Sequence, residues 1–551
     1  MTTSNAAEGE GARGRAVTLR GLAPLALLLA VPFLLRPRDN LLDASGESIV
    51  IISPNSEPTR YEFARAFREH MREKGRSVWI DWRTPGSSRE IVRYIASEYS
   101  TAFENHWRRR LGRPWSGRVA AAFADPNVKI DGDVASDDEA TSARRAFLDS
   151  DVGIGIDLLF GTGSAEAAVQ AGAGRLVDAG LLRSHPDWFG DGGIPETAGG
   201  KVMWDREGRW VGSCLTLFGL CHNRDALRRL RIDKAPDQWA DLADPAFFGQ
   251  LALADPSKSG AAASAFEMLI HQQMNLAARE RANGPGALTE ADEMRARGEG
   301  WTRAMRLVRR IAANARYFAG GGTQPTLDIA MGDAAAGMCI DFYGRSQSQT
   351  PGGGAGRLGF VTPHGGTAVD TDPIGLFRGA PHRELAVAFM EFVLSPRGQK
   401  LWNWRVGTPD GPVRYALRRL PILPALYAPS EGAFRSDPGE SPYDEARAFV
   451  YHPAWTGPLV RAITFIVRVT CLDAHDELAT AYRDLFGAGF PPRASALFDD
   501  VALVDYATAL GSIRAAVTSG NPVDEAALGN RLVTAVRAQY RRVSELARAG
   551  Q

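Results

Sequence analysis

The chain has 551 residues, of which 44% are hydrophobic and 23% charged, and its 64 basic residues balance 64 acidic ones. A balanced charge gives no electrostatic reason to expect nucleic acid as a partner, and the length exceeds one ordinary core, so two or more lobes are expected. Four cysteines without a CxxC pair exclude a zinc ribbon and a thioredoxin-type site. Up to two disulfides stay open as an alternative, and several of the cysteines are expected to be buried thiols.

Residues 1–45 have the pattern of an export signal. Arginines bracket an apolar run at 21–35 (GLAPLALLLAVPFLL), whose 15 residues would span about 22 Å as a helix, less than the ~30 Å hydrocarbon core of a membrane. This length suits a signal peptide, and the poor cleavage signal leaves an uncleaved membrane anchor over residues 20–36 as the alternative. Both alternatives predict a periplasmic or extracytoplasmic protein.

The body begins with alternating strand and helix patterns. They follow the order strand, helix, strand, helix, at 48–52, 57–74, 77–82 and 89–103. Such alternation predicts a parallel α/β lobe. We place this first lobe at 46–215, with insertions at 105–147 and 184–200 that interrupt the pattern.

A long β-prone run at 210–223 (WVGSCLTLFGLCHN) is expected to carry the chain from the first lobe to the second. The second lobe is predicted over 216–340, and its last strand at 335–342. The chain then returns to the first lobe over 341–428. The remaining segment, 429–551, is predicted to be mainly helical from its apolar periodicity.

Three short sequences in the second lobe resemble a known family. They are WADLADP at 239–245, FGQ at 248–250 and ADPSKSG at 254–260. Together with the run at 210–223, they are similar to the extracellular solute-binding proteins of ABC importers, in the branch that binds ferric ion, phosphonates and sugar phosphates. The resemblance covers residues 48–425.

This resemblance implies a two-lobed α/β fold of the type II periplasmic-binding-protein kind, with hinge strands between the lobes; the helical segment would be a C-terminal extension to it. It also implies a small-molecule ligand in the cleft between the lobes, closure of the lobes around that ligand, and an ABC permease as partner. No cofactor is expected.

Three loops that follow strands and open helices are the candidate ligand-binding loops. Unpaired N–H groups at a helix N-terminus bind anions, and glycine lets a ligand approach the backbone closely. Ser53 and Asn55 would add polar groups after the first strand, and Tyr343 and Arg345 lie where the chain leaves the second lobe, with Arg345 as the candidate cation. The predicted ligand is therefore a small organic anion that carries a phosphate or phosphonate. The loop residues are Gly161, Thr162, Gly163, Ser164, Ser257, Ser259, Gly260, Gly322 and Thr323.

Two other functions stay open at this point. Ferric ion would take Tyr343 and Asp341, on one face of a strand, but ferric-binding relatives have two consecutive tyrosines where this chain has Phe342 and Tyr343. A membrane-tethered ligand sensor would have the same sequence over 48–425. Catalysis is not expected, because the chain lacks GxSxG, HExxH and Walker A motifs and Cys221 has no histidine beside it on the same face of its strand.

Overall fold

The structure is a computed structural model that describes residues 46–130, 137–282, 289–347 and 356–551. The expected signal peptide or anchor at 1–45 lies outside the described residues. Within the described ranges, a seven-stranded sheet and a five-stranded sheet form the centres of two lobes, and two short strands form a separate hairpin.

The strands are, in chain order, β1 (Glu47–Ile52), β2 (Val78–Arg83), β3 (Leu158–Phe160), β4 (Leu176–Val177), β5 (Thr197–Ala198), β6 (Lys201–Val202), β7 (Val211–Thr216), β8 (Phe218–Asn223), β9 (Leu251–Ala254), β10 (Ala315–Ala319), β11 (Ala336–Ile340), β12 (Leu358–Val361), β13 (Asp370–Phe377) and β14 (Leu420–Pro421). The α-helices are α1 (Glu57–Glu73), α2 (Ser88–Asn105), α3 (Gly117–Ala122), α4 (Glu139–Leu148), α5 (Ser164–Gly172), α6 (Leu181–Ser184), α7 (Arg224–Leu230), α8 (Gly260–Ala282), α9 (Glu290–Ala313), α10 (Thr323–Met331), α11 (Asp341–Gln347), α12 (Arg383–Leu394), α13 (Pro396–Asn403), α14 (Pro442–Ala448), α15 (Pro453–Thr456), α16 (Val460–Val467), α17 (His475–Gly487), α18 (Pro492–Phe498), α19 (Tyr506–Thr508), α20 (Arg514–Thr518) and α21 (Pro522–Arg548).

Lobe 1 is built on the sheet of order β14-β7-β13-β3-β1-β2, with β4 beside β13. Strand β1 pairs in parallel with β2 and β3, whereas β13 runs antiparallel to β3 and β7. Ile49 and Ile51 belong to the same core as residues of α1, and Ile52 belongs to the core that α2 covers. Burial on both faces explains why β1 is a continuous apolar run, as is usual for a parallel strand.

Lobe 2 is built on the sheet of order β10-β9-β11-β8-β12. Strand β9 is buried along its whole length, and helices α8 and α9 contribute Phe266, Leu269 and Trp301 to the core beside it. Both lobes are therefore α/β, as the sequence predicts.

The chain passes from lobe 1 to lobe 2 between β7 and β8, with only Leu217 between these strands. The predicted β-prone run at 210–223 is thus a pair of hinge strands. The chain returns to lobe 1 over residues 362–369, later than the predicted return at 341. The reason is that β12 pairs antiparallel with β8 and so keeps residues up to Val361 in lobe 2.

The C-terminal segment crosses between the lobes a third time. Ala446 of α14 belongs to the core of lobe 1, whereas Phe449 and the residues that follow belong to the core of lobe 2, together with α8 and α9. The extension is helical, as predicted, and it completes lobe 2. Among the residues that the structure describes, two stretches are long and apolar enough to span a membrane, Pro453–Leu472 and Pro492–Thr518, and 61% and 33% of their apolar windows are buried inside the protein.

Both predicted insertions contain ordered elements. In the insertion at 105–147, Trp107 of a π-helical turn and Phe123 join the core beneath α2, with α3 and α4 around them. The insertion at 184–200 ends in β5, which pairs antiparallel with β6. All four cysteines lie within the described ranges as buried free thiols, as expected.

Candidate ligand-binding site

Ser53 and Asn55 follow β1 and bind the end of β3. Ser53 Oγ donates a hydrogen bond to the carbonyl oxygen of Phe160 at 2.6 Å, and Asn55 Nδ2 donates to the same oxygen at 3.3 Å. The backbone N–H of Asn55 donates to Ser53 Oγ at 3.0 Å. Both side chains are buried, so they hold the loop after β3 in place at the edge of the cleft.

The loop at 161–164 begins with a glycine that no other residue could replace without strain. Gly161 has a φ of +79°, and a Cβ there would lie 2.6 Å from Asn55 Nδ2. The next side chain, Thr162, is buried, and its Oγ1 has no hydrogen-bond partner among the described residues. A buried hydroxyl without a partner costs free energy, so an oxygen of a ligand or a water would be favoured there.

The N-terminus of α5 is occupied by the protein's own acidic side chains. Ser164 Oγ donates to Asp370 Oδ1 at 2.5 Å, and the carboxylate of Glu166 folds back so that Oε2 lies 2.5 Å from the position of a Cβ on Gly163. Burial raises the pKa of Glu166, and the nearby Asp370 and Asp372 raise it further. This wall of lobe 1 is therefore acidic and a poor place for a bound anion.

The loop at 257–260 in lobe 2 differs from the N-terminus of α5 in the role of its hydroxyl groups. Asp255 accepts hydrogen bonds from the backbone N–H of Ser257 at 2.8 Å and from Ser257 Oγ at 2.6 Å, which fixes the turn after β9. Ser259 Oγ accepts from the N–H of Ala262 at 3.2 Å and so caps α8. The two hydroxyls that the sequence assigned to a ligand hold this loop, while Gly260 at the first position of α8 is exposed.

The N-termini of α8 and α10 lie side by side. A Cβ on Gly322, which caps α10, would lie 3.0 Å from Ser259 Oγ, and Thr323 opens the helix beside it in an exposed position. Neither first turn, both of them described in full, contains an acidic residue. Two positive helix ends thus meet in lobe 2 with no carboxylate in either first turn, while Asp255, before α8, accepts hydrogen bonds from Ser257.

Arg89 extends across the cleft from lobe 1 and was missed in the sequence. Its guanidinium, at the start of α2, donates to the backbone carbonyls of Ser257 and Pro256 in lobe 2. It also lies close enough to Glu166 to oppose the rise in the pKa of that carboxyl group. The cleft is therefore bridged by an arginine whose described hydrogen-bond acceptors are neutral carbonyl oxygens.

Arg419 lies at the base of the cleft beside the hinge strands and was also missed. It donates to Asn55 Oδ1 and to Thr216 Oγ1, each at 3.1 Å, and forms an ion pair with Asp372. Its guanidinium stacks 4.3 Å from the ring centroid of Phe342 in lobe 2. No local pattern marks this residue, because its partners come from four separate segments of the chain.

Tyr343 and Arg345 lie in α11 and not at the end of a strand. The strand ends at Ile340, so Asp341 and Tyr343 are two residues apart on a helix and point away from each other, which corrects the predicted shared face. Arg345 is buried and pairs with Asp341 at 2.9 Å and with Glu440 at 2.9 Å. Burial raises the pKa of Asp341 to about 6, although Arg345 opposes the shift.

Two of the predicted ligand contacts in α11 are Asp341, as a ferric ligand, and Arg345, as the cation for an anion. The predicted ferric ligand Asp341 is bound by an arginine, and Arg345, the predicted ligand cation, already has two carboxylate partners. Within the described ranges, no group of three or more His, Cys, Asp or Glu residues is placed to hold a metal ion.

The comparisons with known proteins identify this two-lobed region. The family described as bacterial extracellular solute-binding protein matches residues 160–421, which include the hinge strands and the loops of lobe 2. The match covers slightly less than half of the chain. The resemblance stated from the sequence is confirmed, and the family is one of binding proteins and not of enzymes.

Two curated relatives match part of this chain. An uncharacterised protein of Haemophilus influenzae is 24% identical over 204 residues, which cover 36% of this chain and 49% of the relative. The phosphoglycerate transport regulatory protein PgtC of Salmonella typhimurium is 25% identical over 192 residues, covering 35% of this chain and 40% of that protein. The chain therefore spans about half the length, or less, of the curated relatives that it matches.

Solved structures of similar proteins have TM-scores below 0.5. The periplasmic binding protein AfuA of Actinobacillus pleuropneumoniae, with fructose-6-phosphate bound, gives a TM-score of 0.42 at 17% identity and covers 64% of this chain and 81% of its own. Iron-bound HitA of Pseudomonas aeruginosa gives a TM-score of 0.44 at 13% identity and covers 76% of this chain and 98% of its own.

Proposed function

We propose that this protein is the solute-binding component of an ABC-type importer, which captures a small organic anion carrying a phosphate or phosphonate and delivers it to a membrane permease. One observation carries the choice of ligand. The N-termini of α8 and α10 adjoin each other in lobe 2, next to the loop that Arg89 of lobe 1 contacts, and their first turns hold no carboxylate. Such paired helix ends bind charged oxygen atoms without needing a cation.

Two further observations support this ligand class. The guanidinium of Arg89 donates to backbone carbonyls of the same loop, and it would gain by exchanging a neutral acceptor for an anionic one. The Salmonella relative is named for phosphoglycerate transport. We therefore take 3-phosphoglycerate as the first compound to test.

Gly260 offers a sharp test of the anion site. It is exposed at the first position of α8, and a Cβ there would meet no atom within 4 Å. The substitution Gly260→Asp places a carboxylate at the helix N-terminus, where it favours the helix but repels a bound anion. We expect the Kd for 3-phosphoglycerate, measured by isothermal titration calorimetry, to rise about tenfold or more. This rise corresponds to a loss of at least ~1.4 kcal/mol of binding free energy. The melting temperature should stay the same or rise.

The matched control is Gly260→Asn, which has nearly the same shape and no charge. Its Kd should lie within about threefold of the native value, which is a difference of ~0.7 kcal/mol in binding free energy. Equal affinities of the Asp and Asn variants would contradict the proposal, as would a native protein that binds neither 3-phosphoglycerate nor inorganic phosphate. Binding of ferric ion with a visible colour that Tyr343→Phe abolishes would replace the proposed ligand with iron.

A membrane-tethered ligand sensor is the second candidate. The Salmonella relative is named a regulatory protein, and the helices after residue 421 continue beyond the matched family. In both candidates the cleft would lie outside the cytoplasm, with residues 20–36 as signal or anchor, and protease treatment of intact spheroplasts tests that location. Co-purification of the ligand-loaded protein with a permease favours import, whereas co-purification with a membrane kinase favours sensing.

A further inference from the structure

A charged cluster, largely shielded from solvent, lies where the chain crosses between the lobes for the third time. The ammonium group of Lys201 lies 3.2 Å from Asp370 Oδ2 and 3.9 Å from the ring centroid of Tyr451. The hydroxyl of Tyr451 donates to Glu267 Oε1 at 2.7 Å, and Thr456 Oγ1 donates to the same oxygen at 2.8 Å. We call these five residues the latch cluster.

The members of the latch cluster come from different lobes. Lys201 is in β6 and Asp370 is in β13 of the lobe 1 sheet, whereas Tyr451 belongs to the core of lobe 2 and Glu267 is in α8. The backbone reinforces the contact, because the N–H of Tyr451 donates to the carbonyl of Gly199 at 2.7 Å. A Cβ on Gly200 would lie 2.1 Å from the carbonyl oxygen of Tyr451, so glycine is needed for this close approach.

The latch cluster is connected to the predicted ligand loop. Asp370 accepts from Ser164 Oγ at 2.5 Å through one carboxylate oxygen and from Lys201 through the other. A continuous series of contacts therefore runs from Ser164 in the cleft through Asp370 and Lys201 to Tyr451 in the C-terminal segment. The charges that face Lys201 are Asp370 and Glu267, and they raise its pKa even though burial favours the neutral amine.

The latch cluster is formed in the same structure in which Arg89 bridges the mouth of the cleft. If the lobes rotate apart, Lys201 keeps Asp370 but leaves the ring of Tyr451 and the charge of Glu267, so the ammonium group loses its interactions with lobe 2. Charges in a low-dielectric environment interact strongly, so this separation is opposed. We propose that the third crossing is a latch, in which Lys201 and Tyr451 hold the lobes together and couple closure of the cleft to the C-terminal helices.

The first experiment needs no ligand and therefore does not depend on the proposed function. Spin labels on cysteines introduced at the exposed Lys74 of lobe 1 and Lys234 of lobe 2 report the distance between the lobes in the full chain, since the native cysteines are buried. The substitution Lys201→Met should lengthen and broaden this distance distribution in the ligand-free protein. An unchanged distribution in a folded Lys201→Met protein would overturn the latch.

The matched control is Lys400→Met. The ion pair described for Lys400 joins it to Asp410 at 3.2 Å, and both residues lie in lobe 1. This substitution should leave the distribution as in the native protein. If Lys201→Met fails to fold, Tyr451→Leu decides, since it removes the ring that Lys201 contacts across the two lobes. It should shift the distance distribution in the same direction, and no shift would count against the proposal.

The second measurement rests on the proposed function. If the closed state binds the ligand, a tenfold loss of its population raises the apparent Kd about tenfold. Lys201→Met should weaken binding of 3-phosphoglycerate by about this factor, and Lys400→Met should not. Native protein that fails to bind 3-phosphoglycerate would refute the ligand while leaving the distance measurement to decide the latch.

Discussion

Arg419 and Asp372 form an ion pair at the base of the cleft that is largely shielded from solvent, and the guanidinium also binds Asn55 and Thr216. Burial raises the pKa of Asp372, and Arg419 opposes that rise. Such pairs are seldom a net source of stability, but removal of one partner leaves an uncompensated charge in the interior. Arg419 therefore positions the loop after β1 against the hinge strand β7.

We expect Arg419→Met to lower the free energy of unfolding by about 3–5 kcal/mol in urea titrations. Adding Asp372→Asn removes the stranded charge and should recover part of that loss. The control is Arg447→Met, which breaks the largely exposed pair with Asp444 and should cost ~1 kcal/mol or less. Equal costs of Arg419→Met and Arg447→Met would mean that water reaches the base of the cleft.

The sequence predicted the candidate loops better than it predicted their chemistry. A strand followed by glycine, serine and a helix marks the loops at 161–164 and 257–260, because each of these signals is local. The sequence could not show that Glu166 turns back over its own helix end, since this depends on χ angles and on Asp370 far along the chain. Arg89 and Arg419 were not predicted from the sequence for the same reason, since their partners also lie far along the chain.

Elements were predicted well where their pattern is long and regular. The two hinge strands follow from one β-prone run of 14 residues at 210–223, which only a crossing between sheets explains. The change from β11 to α11 was placed wrongly, because a helix of seven residues at Asp341–Gln347 is too short for a helical period to show. As a result, Asp341 and Tyr343 were assigned to one face of a strand.

Two elements of lobe 2 bury neutral histidines, which makes the stability of this lobe depend on pH. Burial lowers the pKa of His271 in α8 to about 3, with His452 and Lys201 adding to the shift, and burial lowers the pKa of His222 in β8 to about 4. In the unfolded chain both titrate near 6.5. Below that pH the unfolded state binds protons that the folded state does not, so each histidine destabilises the fold as the pH falls.

For His271 this loss should amount to about 1.4 kcal/mol per pH unit between roughly pH 6 and pH 4. Asp341 acts in the opposite direction, because its raised pKa of about 6 makes the folded state bind a proton first. The informative quantity is thus the difference in unfolding free energy between native protein and His271→Gln, followed from pH 7.5 to pH 4. The native protein should lose its advantage over the variant as the pH falls.

The control for this titration is Gln273→Ala in the same helix, which removes no titratable group. Its difference from native protein should not vary with pH. A constant difference for His271→Gln as well would show that the imidazole has the same pKa in the folded and unfolded states.

At the scale of the whole molecule, the C-terminal helices form one body with lobe 2. The indole N–H of Trp301 in α9 donates to the carbonyl of Val504 at 2.8 Å, and the hydroxyl of Tyr482 in α17 donates to the carbonyl of Ala243 at 2.8 Å. Side chains from α8, α9, α17 and α21 share a single core. What the sequence presents as an addition to a two-lobed protein is therefore part of the structure of its second lobe.

This union predicts that lobe 2 and the C-terminal helices unfold together. Leu478 of α17 is fully buried in the shared core, so Leu478→Ala should cost about 2–5 kcal/mol. Amide hydrogen exchange should show this loss equally in α8, α9 and α21, because residues of one cooperative unit open with the same free energy. Helices α1 and α12 of lobe 1 should keep their native protection, and Leu503→Ala, at a 42% exposed position, should change none of these helices. Loss of protection confined to α17 and α21 would instead mean that the C-terminal helices are a separate domain resting on a complete lobe 2.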